Sequence, residues 1–116
     1  MTSRKAPETI RVRRDFLAAA KAEKQVRRGF VLQARQRGDD APARFGLTAT
    51  KKIGNAVIRN RIRRRLRALA VDLFPKHAHS GYDYVLIGRV QTQYRDWGAL
   101  KSDLKSALKA IHADLA

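Results

Sequence analysis

Between residues 51 and 67 the chain reads "KKIGNAVIRNRIRRRLR", eight basic residues and no acidic one, interleaved with Ile53, Val57, Ile58, Ile62 and Leu66. Guanidinium groups offer paired N–H donors that match phosphate oxygens and base edges, and lysines add point charge, so the chemistry on offer is anion binding. Asn55 is a good N-cap for a helix beginning at Ala56. At roughly 100° per residue, Ile58, Ile62, Leu66, Leu69 and Leu73 then share an apolar arc of about 80°. Arg59, Asn60, Arg63 and Arg67 gather with Ala56 on an adjoining arc, and Arg61, Arg64 and Arg65 take the remainder. Like charges four residues apart cost roughly 0.2–0.5 kcal/mol per pair, and a helix built for stability alone would interleave Glu. A solvated charged face is the usual fate of such a run. The complete omission of acidic residues points instead to a bound anion. Lys51, Lys52 and Gly54 lead into the helix, whose first N–H groups can serve a phosphate; Gly54 also reads as a turn glycine.

The other candidate chemistry is thin. A two-metal nuclease wants converging carboxylates. The ten acidic residues are scattered, and the adjacent pair Asp39-Asp40 reads as part of a turn. His77 and His79 lie two apart in a loop with no cysteine in the chain, so no metal site is expected there. His112 sits beside a helical apolar stripe and reads as a packing or surface residue, and Tyr94 and Trp97 read as core or cap packing rather than base-stacking platforms. No Ser/His/Asp motif, P-loop or dinucleotide-binding glycine motif is present.

The totals agree with a polyanion partner. Net charge is +16, and residues 1–67 carry 20 Lys or Arg against five acidic residues, whereas residues 68–116 carry six against five. Arg outnumbers Lys by 17 to nine, and 44% hydrophobic content supports a folded globule over a solvated polycation. The length of 116 residues predicts one domain spanning 1–116, with residues 1–10 flexible. No apolar run approaches the roughly 20 residues of a membrane span, and the first ten residues lack the apolar stretch of a signal peptide. The expectation is a soluble cytoplasmic protein without membrane contact.

Several elements must position the basic helix. The segment "RRDFLAAAKAEK" predicts a short helix with Phe16, Leu17 and Ala20 near one face. "GFVLQARQR" alternates as a strand, Phe30, Leu32 and Ala34 on one side and Val31, Gln33 and Arg35 on the other. "RFGLTAT" alternates likewise, with Phe45, Leu47 and Ala49 inward and Thr48 and Thr50 outward, and the two strands read as a hairpin around residues 38–42. The basic helix should run to about Leu73, with Pro75 beyond its end. "YDYVLIGR" is apolar enough to lie inside the sheet, and a last amphipathic helix carries Leu100, Leu104, Leu108, Ile111 and Leu115 on one stripe. The order is αββαβα, or αβββαβα with an extra short strand around residues 25–28. Both are two-layer α+β sandwiches on a central, mostly antiparallel sheet.

The pattern K-x-G-x-A-V-x-R-N-R-x-R-R-x-x-R, from Lys52 to Arg67, resembles the signature of the bacterial ribonuclease P protein component, and "RRDFL", "GFVL", "RFGLTATKKIGNAV" and "YDYVLIGR" resemble family segments in the same order. The resemblance spans about residues 9–111 and implies a ribosomal-protein-S5-domain-2-like fold with a left-handed βαβ crossover. It further implies a protein subunit that binds a catalytic RNA and the 5′ leader of precursor tRNA, assisting Mg²⁺-dependent endonucleolytic removal of the leader. The Mg²⁺ would be held mainly by RNA, with no organic cofactor and no obligate protein partner, and the protein alone would be inactive. The implied RNA-facing residues are Lys51, Lys52, Asn55, Arg59, Asn60, Arg61, Arg63, Arg64, Arg65 and Arg67, and the implied leader cleft is lined by Phe16, Val31, Gln33 and Thr48. Ala20 and Gln33 stand where family members often carry aromatics, which puts leader stacking at those positions in question. Two other classes fit the basic helix alone: a ribosomal or RNA-chaperone protein, and a DNA-binding module. The helix lacks a helix-turn-helix partner for the latter.

Overall fold

The structure, a computed structural model, describes residues 7–113. Its elements are β1 (Glu8–Thr9), α1 (Arg13–Ala20), β2 (Glu23–Val26), β3 (Phe30–Gln36), β4 (Arg44–Thr48), α2 (Ala56–His77), β5 (Tyr82–Gly88) and α3 (Trp97–Ile111), with 3₁₀ turns at Lys51–Ile53 and Val90–Gln93. The five strands form one mixed sheet in the order β1-β4-β5-β3-β2. Antiparallel pairing is the more extensive, with seven registered residue pairs between β3 and β5 and four between β2 and β3, against five between β4 and β5 and two between β1 and β4 in the parallel sense.

The expected hairpin between β3 and β4 does not form, because β5 lies between them. Tyr84, Val85 and Leu86 in β5 are almost wholly buried, so the most apolar strand takes the centre, where both faces are covered. The loop after β3 passes around the end of β5: Arg37 N–H donates to the Gly81 carbonyl and Gly81 N–H to the Ala41 carbonyl. Gly81 is required at that crossing, since its φ is +81° and a Cβ would lie 2.1 Å from the Asp39 carbonyl oxygen. The hairpin that does form joins β2 to β3, and β2 is the extra short strand, beginning two residues earlier than its composition suggested.

Residues 1–10 were expected to be flexible, but Glu8 and Ile10 donate N–H bonds to the carbonyls of Ala43 and Phe45, and Ile10 is buried. Residues 1–6 lie outside the described part, as does Leu115. Helix α2 also runs past its expected stop and contains Pro75. Only the Val71 carbonyl loses an intrahelical donor to that proline, and Val71 is exposed, so water can take its place.

Helices α2 and α3 cover one sheet face, packing Ile62, Leu66, Leu69, Leu73, Leu100, Leu104 and Leu108 against Phe30, Leu32, Phe45, Tyr84 and Leu86. That is the expected sandwich. Helix α1 lies on the reverse face, where Phe16 and Ala19 pack with Ile10, Val85 and Ile87. The face predicted for α1 was displaced: Asp15 and Ala19 are buried while Leu17 and Ala20 are exposed. An ion-pair network fixes that orientation. Asp83, fully buried in β5, accepts from Arg44 Nε and Nη2 (2.8 and 2.7 Å) and from Arg37 Nη1, and Asp15 of α1 pairs with Arg35 (3.3 Å) and Arg44 (3.2 Å).

Candidate RNA interface

The reverse sheet face is organised in rows set by strand register. Thr48, Ile87 and Val31 align across β4, β5 and β3; Gly46, Val85 and Gln33 form the next row; Arg44, Asp83 and Arg35 the third. Helix α1 crosses the second and third rows. The ring of Phe16 sits so close over Gly46 that a Cβ there would lie 2.5 Å from it. Phe16, Val31, Gln33 and Thr48 are therefore brought together on one face, each half-buried. Ile87 belongs in the same row and was missed: read as a run buried on both sides, "YVLI" hid the alternation that turns Ile87 outward.

The basic helix divides into three strips. Ile62, Leu66 and Leu69 are fully buried, and Asn55 caps the helix as expected, its Oδ1 accepting from Ile58 N–H at 3.0 Å. That contact commits the Asn55 side-chain oxygen to the cap. On one flank Arg59 and Arg63 are half-buried. Arg63 Nη2 donates to the Ala49 carbonyl at 3.3 Å, one residue beyond Thr48, so this flank adjoins the edge of the Thr48–Ile87–Val31 row. Arg59 Nε is buried with no hydrogen-bond partner among the described residues. Asn60, Arg61, Arg64 and Arg67 are exposed, and Lys51 and Lys52 stand exposed on the turn ahead of the helix.

Arg65 departs from the expected pattern. It turns toward the segment before α3, its Nη1 donating to the carbonyls of Thr92 (2.6 Å) and Arg95 (2.8 Å), and its Cζ lies 5.8 Å from the Trp97 ring centroid. Its first task is to fasten α2 to α3. Tyr94 and Trp97, read from sequence as packing residues, are 72% and 36% exposed. The stripe that packs α3 begins at Leu100, leaving both rings outside the core. His112 is a packing residue, buried with its Nε2 2.7 Å from Tyr84 Oη and its ring stacked on His79 at 3.7 Å.

The carboxylates that the fold gathers are already occupied by cations. Asp15 and Asp83 are held by Arg35, Arg37 and Arg44, Asp103 by Arg95, and Asp72 by Lys76 and Lys101. Among the described residues no three His, Cys, Asp or Glu side chains converge. What the surface offers is a strongly basic first half of α2, with no acidic residue between Ala56 and Arg67, beside a half-apolar sheet face. This defines an α+β protein with a basic helix set beside a half-buried apolar sheet face, a surface suited to a polyanion.

Comparison with known proteins narrows the class. The family model for ribonuclease P matches residues 5–112. The ribonuclease P protein component of Caulobacter vibrioides is 51% identical over 109 residues, covering 93% of this chain and 73% of the relative, and that of Erythrobacter litoralis is 46% identical over 103 residues, covering 89% and 84%. Among solved structures, the RNase P protein from Thermotoga maritima superposes with a TM-score of 0.73 at 28% identity, covering 89% of this chain and 96% of that one. A Staphylococcus aureus RNase P protein mutant with defective mRNA degradation activity gives 0.72 at 27% identity, covering 89% and 86%. The chain belongs to the ribonuclease P protein family, and its role is that of a ribonuclease P subunit in tRNA 5′ processing. The ribosomal, chaperone and DNA-binding alternatives give way to this assignment.

Proposed function

We propose that the protein binds the catalytic RNA of ribonuclease P through the exposed cations of α2 and receives the 5′ leader of precursor tRNA on the Phe16 face. The observation that carries this is the row Thr48–Ile87–Val31, which lies beside Phe16 and ends against the Arg59/Arg63 flank. A single strand laid across it places bases against Phe16, Val31 and Ile87 and phosphates against the arginines. Chemistry belongs to the RNA. Asp15, Asp83 and Asp103, the carboxylates that the fold draws inward, are taken up by arginines and do not fit a Mg²⁺ shell, so Mg²⁺ is assigned to the RNA subunit and substrate. The protein acts in the cytoplasm by positioning and requires no protein partner.

The decisive experiment is cleavage of a precursor tRNA with and without the cognate catalytic RNA. The protein is expected to accelerate cleavage at low Mg²⁺ when the RNA is present and to cut nothing alone. Unchanged RNA-dependent cleavage would sink the reading. Robust hydrolysis without the RNA would show a nuclease in the protein itself, and the S. aureus relative, named for an mRNA degradation activity, makes that arm necessary.

Phe16→Ala removes the ring over Gly46. Affinity for precursor tRNA is expected to fall by about 1–3 kcal/mol, a base-stacking contribution, while affinity for mature tRNA stays level. Equal loss for both substrates would place Phe16 in folding rather than leader binding.

A further inference from the structure

We propose that Tyr94 and Trp97 form a stacking platform for an unpaired nucleotide of the catalytic RNA, a contact separate from the Phe16 face. The inference rests on the ribonuclease P reading and adds a subsite to it. The two rings lie three residues apart, Tyr94 on the connection between β5 and α3 and Trp97 at the first residue of α3, and Val90 on the same connection is 49% exposed. Exposed rings on a mobile loop would mean little, but this segment is firmly held. Thr92 is fully buried, its Oγ1 donating to the Gly29 carbonyl at 2.6 Å and accepting from Arg89 N–H at 2.9 Å. Arg95 binds Asp103 through two N–H groups (2.6 and 3.0 Å), and Arg65 holds the carbonyls of Thr92 and Arg95. The backbone is thus fixed on both sides of Tyr94 while its ring is displayed to solvent.

The surroundings select the occupant. Arg65 lies near the Trp97 ring, Arg61 is exposed one turn earlier on the same flank of α2, and Arg89 is exposed at the start of the turn. The nearby carboxylates are engaged, Asp96 in accepting from Ala99 N–H and Asp103 in holding Arg95. Exposed aromatic rings on a cationic surface, with a guanidinium beside one of them, suit bases and phosphates together. A second copy of the chain would bring another +16 charge to the same surface, which opposes self-association. The leader is assigned to the reverse sheet face and the Arg59/Arg63 flank. The platform stands on the α2/α3 side, on the flank of Arg61 and Arg65, which leaves it to the RNA subunit.

Trp97 is the only tryptophan, so intrinsic fluorescence reports from the platform itself. In a titration of the full chain, cognate ribonuclease P RNA should quench it, whereas a fully paired RNA duplex of equal phosphate content should bind without comparable quenching. Tyr94→Ala and Trp97→Ala should each weaken binding to the RNA subunit by roughly 5- to 100-fold, and Trp97→Phe should keep most of the affinity. Preference for precursor over mature tRNA in the holoenzyme should not change. RNA binding with no quenching, or with alanine variants equal to the unaltered protein, overturns the proposal, as does equal quenching by the duplex. Loss of precursor preference at unchanged RNA affinity would give the surface to the leader, and an RNA-free dimer abolished by Trp97→Ala would give it to a second copy; either result also overturns it. Tyr94 is mostly in solvent, so its variant stays informative even if Trp97→Ala folds poorly. Intact quenching without stimulation of cleavage would overturn the ribonuclease P role and leave the platform standing.

Discussion

Asp83→Asn is expected to cost about 3 kcal/mol of folding stability at neutral pH, because it leaves the part-buried Arg37 and Arg44 facing a neutral amide where they had met a fully buried carboxylate. The pH dependence gives a second signature. Burial alone would raise the Asp83 pKa, but hydrogen bonds from Arg44 and Arg37, with their charges, outweigh it and hold the carboxyl below its ordinary range. A carboxyl depressed in the folded state adds stability above its unfolded pKa of about 3.9 and loses it as pH falls through the folded value. The unaltered protein should therefore keep this contribution at neutral pH and lose it below about pH 4. Asp83→Asn should lack that part of the acid slope, so the two curves converge toward low pH. Urea midpoints across pH 2–7 would test it. A difference at neutral pH within roughly 0.5 kcal/mol, the scatter of ordinary surface substitutions, would mean that the network does not hold the fold. Arg44 also pairs with Asp15, so the variant should loosen α1 and weaken binding at the Phe16 face below the melting temperature.

This network marks where local reading ends. Residues 15, 35, 37, 44 and 83 have no sequence pattern that links them, and only strand register puts Arg44, Asp83 and Arg35 side by side. The hairpin error has the same origin. Alternation defined β3 and β4 correctly as strands, but which strand lies between them depends on a later segment competing for the doubly covered position. Helix α2 was the readable part, since its apolar arc, its cap at Asn55 and its basic faces depend on residues within a few turns of one another. Periodicity could not distinguish Arg65 from Arg61. Both lie on one flank, and only the arrival of the 92–95 carbonyls turns Arg65 inward. The exposure of Tyr94 and Trp97 was hidden for a related reason: aromatic type suggests burial, while the start of the packed stripe at Leu100 decides it.

Replacing Arg59 and Arg63 together by alanine should weaken binding of RNA by about 100-fold, taking roughly 1.5 kcal/mol for each charge-assisted contact. Neither residue packs the fully buried strip of α2, and Arg63 makes only one long bond, 3.3 Å, to a backbone carbonyl, so the double variant should fold. Arg59 Nε is buried and has no acceptor among the described residues, so its removal breaks no hydrogen bond of that atom. Loss of the pair also relieves like-charge repulsion at i,i+4, so stability should hold or rise slightly while RNA affinity falls. Phosphate contacts release counterions, and the slope of log affinity against log salt should flatten by roughly one for each arginine removed. That slope separates the readings: a solvated charged face would leave it unchanged, whereas a phosphate-binding flank would flatten it for both the RNA subunit and precursor tRNA. Arg64→Ala offers the internal comparison, because its exposed side chain lies on the outermost strip, away from the Thr48–Ile87–Val31 row. Its loss should flatten the slope for the RNA subunit without altering the preference for precursor over mature tRNA. If Arg64→Ala alters that preference and the double variant does not, the leader runs along the outer strip of α2 and the Phe16 face is not its seat.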